Sequence, residues 1–295
     1  MKSASLSLQF NRSCCTWAAC ASFVLVAPIL CLAQEGGDAQ PPVTAEPAAP
    51  ALEAKEVVAR YVKALGGESA IRKQKSRMMK GELSDAMMGS APVVIYFAAP
   101  NRMLMEMEIP EAGQARYGFD GEVAWNVLPV YGPAVLDDEQ REATRDQADF
   151  YGEVNFDKRF KSMEAKGERE FDGVKCYALK MVSQKDDEST YFFEVDSGLL
   201  RGTTPIQDAG MGPMEMISIH KEYKEFGGVK FPVHTEIEMM GMVRSMKFTT
   251  IEIDTVKDEI FALPAEIKAL IEADKADAEP ATPEPAKPEP KKEEN

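Results

Sequence analysis

From Ser76 onward, apolar residues recur at every second position in run after run, and this alternation constrains the chain more than any other feature. A period of two places one row of side chains on one face of a pleated strand. Val93, Ile95 and Phe97 alternate in one run; Met103, Met105, Met107 and Ile109 do so in the next, opposite Arg102, Glu106 and Glu108. Val123, Trp125 and Val127 follow, then Tyr177, Leu179 and Met181, and then Tyr191, Phe193 and Val195. Later runs carry Ile217, Ile219 and Tyr223, then Val229, Phe231, Val233 and Ile237, then Ile251 and Ile253. Three similar triplets precede strand-like runs: Phe119-Asp120-Gly121, Phe171-Asp172-Gly173 and Phe226-Gly227-Gly228. Asp-Gly and Gly-Gly tolerate the positive φ of tight hairpins. Their uneven spacing argues against a repeat array. The expected fold is a long antiparallel meander.

Ahead of the strands the period is different. Val57, Val58, Tyr61, Val62 and Leu65 recur at three- and four-residue spacing, with Glu53, Lys55, Glu56, Arg60 and Lys63 on the other side, until Gly66-Gly67. That pattern predicts an amphipathic helix stopped by glycine, and Glu68 to Lys75 suits a short second helix. Leu136 to Tyr151 also interrupts the alternation, with Asp137 as a cap and Gln140 three residues on. It reads either as a helical crossover lying on the sheet or over its mouth, or as a solvated connector. One helix cannot cover a sheet of eight or more strands, so the sheet must curl around it. The fold class is α+β, mostly antiparallel β, and the curl leaves either a packed core or a cavity.

The ends differ from the body. Residues 1–33 carry Lys2 and Arg12, an apolar run from Trp17 to Leu30, and Cys31-Leu32-Ala33 as a small-x-small site. This is the plan of a secretory signal cleaved after Ala33, giving a periplasmic or secreted protein; an uncleaved anchor is the alternative. Residues 34–51 read as a disordered linker and 269–295, rich in Pro, Glu and Lys, as a disordered tail, leaving one domain over 52–268. Of five cysteines only Cys176 survives cleavage, so no intrachain disulfide forms, and its apolar surroundings suit a buried small hydrophobe.

Lys plus Arg number 34 against 49 Asp plus Glu, a formal charge of −15 with no basic block. That balance argues against nucleic acid and against a polybasic grip on anionic lipid. No Gly-x-Ser-x-Gly elbow, phosphate loop, His-Glu-x-x-His helix or Cys-x-x-Cys pair occurs in the mature chain, so no catalytic residue or cofactor is assigned. His220 and His234, with Glu222, Glu236 and Glu238 nearby, have the chemistry of a divalent-metal site. Their alternation is equally that of a solvent-facing strand, so no metal is assigned.

Methionine is the unusual residue, 17 in all and clustered: Met78-Met79, Met87-Met88, Met103 to Met107, Met211 to Met216 and Met239 to Met242. Unbranched thioether chains fill a core, repack around apolar guests, or ligate Cu(I).

The order of elements resembles the bacterial outer-membrane lipoprotein-sorting family, the LolA-like and LolB-like group. The stretches that carry the resemblance are YVKALGGESAIRKQKS, APNRMLMEME, GFDGEVAWNV, FDGVKCYALKM, YFFEVDSGLL, YKEFGGVKFPVHTEIEM and FTTIEIDTVKDEIFALP, from about Ala54 to Pro264. The resemblance implies a half-open β-barrel wrapped on a helical lid, with an apolar cavity for acyl chains and no catalytic centre. These are turn and packing residues, so they transfer a fold and no binding residue. The expected function is non-enzymatic binding of a hydrophobic ligand, a lipid or lipoprotein acyl chains, by a monomer. The expected cavity residues are Met103, Met105, Met107, Val123, Trp125, Phe193 and Phe231, with Tyr61 and Leu65 from the helix. Two alternatives remain from the residues alone: a Cu(I)-binding methionine protein, and a module that docks envelope proteins through its sheet edge or acidic crossover.

Overall fold

The computed structural model describes residues 52–87, 89–208 and 213–278; the expected signal, the linker and residues 279–295 of the expected tail lie outside them. The described chain opens with α1 (Ala54–Leu65) and α2 (Glu68–Lys73). The backbone N–H of Glu53 donates to Glu56 Oε2 at 3.2 Å, closing the first turn. Gly66, at φ 128°, ends the helix in a conformation that side-chained residues resist. Ala54, Val57, Tyr61 and Leu65 are the buried face, as the helical spacing requires.

Thirteen strands form one antiparallel sheet. The first six are β1 (Ser76–Asp85), β2 (Gly89–Ala98), β3 (Arg102–Ile109), β4 (Gly113–Phe119), β5 (Ala124–Leu128) and β6 (Gly132–Val135). After the crossover come β7 (Phe160–Phe171), β8 (Val174–Ser183), β9 (Glu188–Glu194) and β10 (Leu200–Asp208). β11 (Pro213–Phe226), β12 (Val229–Met239) and β13 (Met242–Ile253) complete the sheet. The eight alternating runs fall on or beside β2, β3, β5, β8, β9, β11, β12 and β13. All three glycine triplets sit at hairpin turns, with positive φ at Gly121, Asp172, Gly173, Gly227 and Gly228.

The single meander expected from sequence is instead two meanders zipped together. The order across the sheet is β6-β5-β4-β3-β2-β1-β13-β12-β11-β10-β9-β8-β7. β13 returns to pair with β1, placing Met79 opposite Ile251 and Leu83 opposite Met246. Between β6 and β7 the chain crosses from one sheet edge to the other through α3 (Asp138–Gln147) and α4 (Phe156–Arg159). The cap read at Asp137 is present: Gln140 N–H donates to Asp137 Oδ1 at 2.9 Å, and Asp137 N–H to Gln140 Oε1 at 3.3 Å. α3 packs on β4 and β5, with Thr144 and Ala148 buried, so the crossover lies on the sheet.

The sheet is curled and open. One cluster joins Val57 and Tyr61 of α1 to Phe160 of β7, Leu179 of β8, Phe231 of β12 and Met79 of β1. β7 and β1 stand seven strand spacings apart, about 34 Å in a flat sheet, and a helix is only about 10–12 Å across. The strands must therefore wrap around α1, while β6 and β7 remain free edges. Bulges assist the bend, because an extra residue on one strand increases local twist. One lies between Lys80 and Gly81, where a Cβ on Gly81 would come within 2.0 Å of the Lys247 carbonyl oxygen.

The C-terminal segment packs on the outer, convex face. A 3-10 turn (Asp258–Phe261) leads to α5 (Ala265–Ala278). Phe261 and Ile267 are buried against Leu104 and Trp125. Arg102 pairs with Asp258 at 2.8 Å and Arg116 with Glu266 at 2.5 Å. The domain boundary placed at 268 thus falls inside a helix that continues to Ala278.

Candidate functional site: an apolar trough on the concave face

The register of β2, β3 and β4 brings one set of alternating side chains together. Met103, Met105 and Met107 stand opposite Phe97, Ile95 and Val93 on one side. On the other side they face Phe119, Tyr117 and Ala115. Across β1 and β13, Leu83 and Met246 extend the same surface, with Phe248 packed beside them. Every member of this cluster is a strand residue, and no helix residue joins it among the described residues. Met107 is buried, whereas Met103 and Met105 are half-buried. The result is a methionine-lined apolar trough built on the sheet, bounded at the Met103 and Phe119 side by Ala148 at the end of α3.

The other half of the concave face is filled. α1 and Phe156 of α4 pack on Phe160, Leu179, Met181, Phe193, Phe231 and Ile251. Tyr61 meets Phe193 and Phe156 edge to face, at centroid distances of 5.3 and 6.1 Å. Its hydroxyl donates to the Glu153 carboxylate. Burial, followed by the Glu153 charge, pushes that hydroxyl well above its ordinary pKa.

Between the two halves lies Arg77, at the start of β1. Its guanidinium sits over Phe97, Phe150 and Phe231, at 4.7, 5.0 and 5.4 Å from the ring centroids, a cation–π arrangement that offsets part of the cost of burying charge. Burial lowers its pKa, with Glu153 and Tyr61 opposing the shift. Its Nε has no hydrogen-bond partner among the described residues. His220, also facing inward, lies 3.0 Å by Nδ1 from Thr235 Oγ1. Burial pushes its pKa down to about 4, against the raising effect of Glu153, so it is neutral at pH 7.

The nine residues singled out by sequence occupy three places. Met103, Met105 and Met107 line the trough. Tyr61, Leu65, Phe193 and Phe231 belong to the packed core beneath α1. Val123 and Trp125 are on neither surface: Trp125 pairs with Gly118, Gly118 with Leu104, and this row is the convex face covered by Phe261 and Ile267. Alternation showed that Trp125 has a buried side, but both faces of the sheet are covered there, so periodicity alone did not choose between them. Tyr117, Met246 and Phe248 are trough residues that the sequence reading missed. Ala115, Tyr117 and Phe119 do alternate, yet Gly118 between them and the small Ala115 weaken the strand signal.

The two histidines cannot share an ion. Thr235, the neighbour of His220, follows His234 directly on β12, so the two imidazoles point to opposite faces. His234 Nε2 lies 3.1 Å from Ser245 Oγ. No cluster of three or more His, Cys, Asp or Glu residues suited to a metal occurs among the described residues. Cys176 is fully buried, and burial with the Glu194 charge raises its thiol to about 11, so it is no nucleophile at neutral pH. No described helix is long and apolar enough to cross a membrane.

No protein-family model matches the chain, and no curated protein matches it in sequence. Solved structures do. A DUF1329 family protein from Desulfovibrio piger superposes with a TM-score of 0.54 at 13% identity, over 72% of this chain and 98% of that one. A LolA superfamily protein, NE2245 from Nitrosomonas europaea, gives a TM-score of 0.49 at 12% identity, over 72% and 99%. The chain has the curled, half-open antiparallel architecture read from the order of sequence elements. At these identities the likeness is one of fold.

Proposed function

We propose, from a half-open sheet with this fold, that the protein is a non-enzymatic periplasmic carrier that holds a hydrophobic ligand in the concave trough. The observation that carries the reading is the unequal cover of the concave face: α1 fills one half, whereas over the methionine half the crossover reaches only the side at Met103 and Phe119, through Ala148. The strand side chains of that half bury one another, most of them below a tenth exposed. An apolar cluster with no helix wedged through its middle is one that an apolar guest enters by displacing side chains rather than a helix. Flexible thioether chains at Met103, Met105 and Met107 suit guests of varied shape, as acyl chains are. Lipid or lipoprotein acyl chains are the ligand class that fits. The signal-like residues 1–33 support export.

Uptake of N-phenyl-1-naphthylamine by the purified domain tests the reading, together with native mass spectrometry of protein isolated from its host's envelope. The expected result is probe fluorescence that Met105→Glu lowers about tenfold, with co-purified lipid or acylated peptide at near-stoichiometric amount. A bare mass and no probe uptake would overturn it.

One observation favours a second reading. Met216 stands opposite Met239, and Met239 opposite Met242, so three thioethers occupy paired positions on neighbouring strands. Such a row is a soft ligand set suited to Cu(I). Competition with bathocuproine under reducing conditions tests it, and copper lost to the chelator sinks the idea.

A further inference from the structure

The antiparallel order puts alternate hairpin turns at opposite ends of the sheet. The β1–β2, β3–β4, β5–β6 and β12–β13 turns all fall at one end. The β9–β10 and β11–β12 turns fall at the other, which α1 closes: Arg60 donates to the Val195 carbonyl oxygen at 2.8 Å, and Gly66 abuts Gly228. The end away from α1 is where the sheet exposes its large apolar side chains. Seven such side chains are exposed among the described residues, and six of them sit there: Met87, Val130, Tyr131, Met240, Met242 and Val243. Their exposures reach 67% for Met87, 76% for Val130, 63% for Tyr131 and 53% for Met240. Single exposed apolar residues are ordinary. Six gathered at one rim, from turns far apart in the chain, are not.

The buried apolar row of the trough reaches this rim. Leu83 and Ala91 flank the β1–β2 turn, Met107 and Ala115 flank the β3–β4 turn, and Met246 follows the β12–β13 turn. The apolar surface therefore continues from the trough to the tips. We propose that this rim docks on the surface of a lipid bilayer, its tips entering the interface. As the mouth of the trough, the role rests on the carrier reading above; the docking itself does not. Three features commit the occupant to a bilayer. The outermost of these turns are about 29 Å apart along the curled sheet, at ~4.8 Å per strand, so the tips form a comb rather than a patch. A comb of separate apolar points enters a fluid interface without matching sockets. A guest held in the trough also needs an apolar phase to leave from and return to, and the rim connects the two.

Charge narrows the bilayer. Glu108, Glu111 and Glu238 are exposed beside the tips, Arg244 is taken by Asp85 at 3.1 Å, and the chain carries a formal charge of −15. Anionic head groups would be repelled, so the surface that fits is zwitterionic, and binding to it resists salt because it is apolar rather than ionic.

Flotation with phosphatidylcholine vesicles tests the proposal on the mature chain and on two variants, Val130→Asp with Tyr131→Asp and Met240→Asp with Val243→Asp. These positions are exposed, so the fold survives, and circular dichroism verifies it. The expected result is salt-resistant flotation that each pair of substitutions weakens about tenfold, that added phosphatidylglycerol weakens, and that leaves N-phenyl-1-naphthylamine uptake unchanged. No flotation of the unsubstituted protein, or flotation indifferent to the substitutions, overturns docking. So does a dimer in light scattering that the same substitutions abolish, since the tips would then be covered by a second copy. Flotation without probe uptake supports docking and overturns only the carrier reading.

Discussion

The indole of Trp125 fills the space over Gly118 on the neighbouring strand. A Cβ at Gly118 would lie 2.3 Å from two of its ring carbons, and Trp125 is itself 3% exposed beneath Phe261 and Ile267. Gly118→Ala should therefore cost about 1–3 kcal/mol through overpacking, read as a lowered urea midpoint with unchanged slope. Because Trp125 reports on the convex face, its emission should shift red when the chain is cut after Pro264 and stay unmoved when a guest fills the trough. A ligand-induced shift would contradict this placement.

Tyr61 and Glu153 tie α1 to the crossover. Removing the hydroxyl with Tyr61→Phe leaves the carboxylate without that donor, and a hydrogen bond to a charged group contributes about 1.5–3 kcal/mol. A double-mutant cycle with Glu153→Gln measures the coupling. The expected value is above about 1 kcal/mol, and additivity of the two substitutions would show the pair to be idle.

His220 gives the fold an acid-sensitive step. Its pKa is about 4 in the folded protein against an ordinary 6.5, so the unfolded chain takes up the proton first as pH falls. Stability from this group is complete above about 6.5 and is lost between there and about 4. Its partial exposure inside the curl keeps the loss to about 2 kcal/mol. His220→Gln should flatten the pH dependence of the urea midpoint across that window, and an NMR titration midpoint of the imidazole near 6.5 would refute the burial argument.

Asp254 fastens the end of β13 to the start of β1. Its Oδ1 accepts from the backbone N–H of Lys75 at 2.6 Å and of Ser76 at 3.0 Å, and its backbone stands at φ 58°. Asp254→Ala removes both acceptors and strains the backbone, at about 1–2 kcal/mol. Asp254→Asn, which tolerates that φ and retains a side-chain oxygen, should recover at least half. Thermal melts of the two variants decide it, and equal losses would mean that charge, not geometry, matters there.

Local chemistry made much of this protein legible in its sequence. The three- and four-residue spacing of Val57, Tyr61 and Leu65 marked α1 and its buried face. Period-two runs located eight strands, the glycine triplets located three turns, and Asp137 with Gln140 located the crossover helix. Five strands were not legible, for reasons visible in each. The edge strand β7 is exposed along most of its length and carries few apolar side chains. β1 buries Met78 and Met79 on opposite faces and so loses its alternation. β4 contains Gly118, β10 contains Gly202 and Pro205, and β6 is only four residues long.

Period and turn chemistry are properties of neighbours in the chain, so the sequence alone determined the helix, most of the strands and the fact of one buried side. Which side, and against what, depends on pairing between distant segments. Only the return of β13 to β1 assembled Leu83, Met107 and Met246 into one trough. Only the register of β3, β4 and β5 put Trp125 on the outer face, away from it, where the C-terminal segment covers it. And only the shared up-and-down order of the hairpins collected Met87, Tyr131 and Met240 at one rim, because the end of a sheet at which a turn emerges is set by the strand count between turns and by nothing in the turn itself.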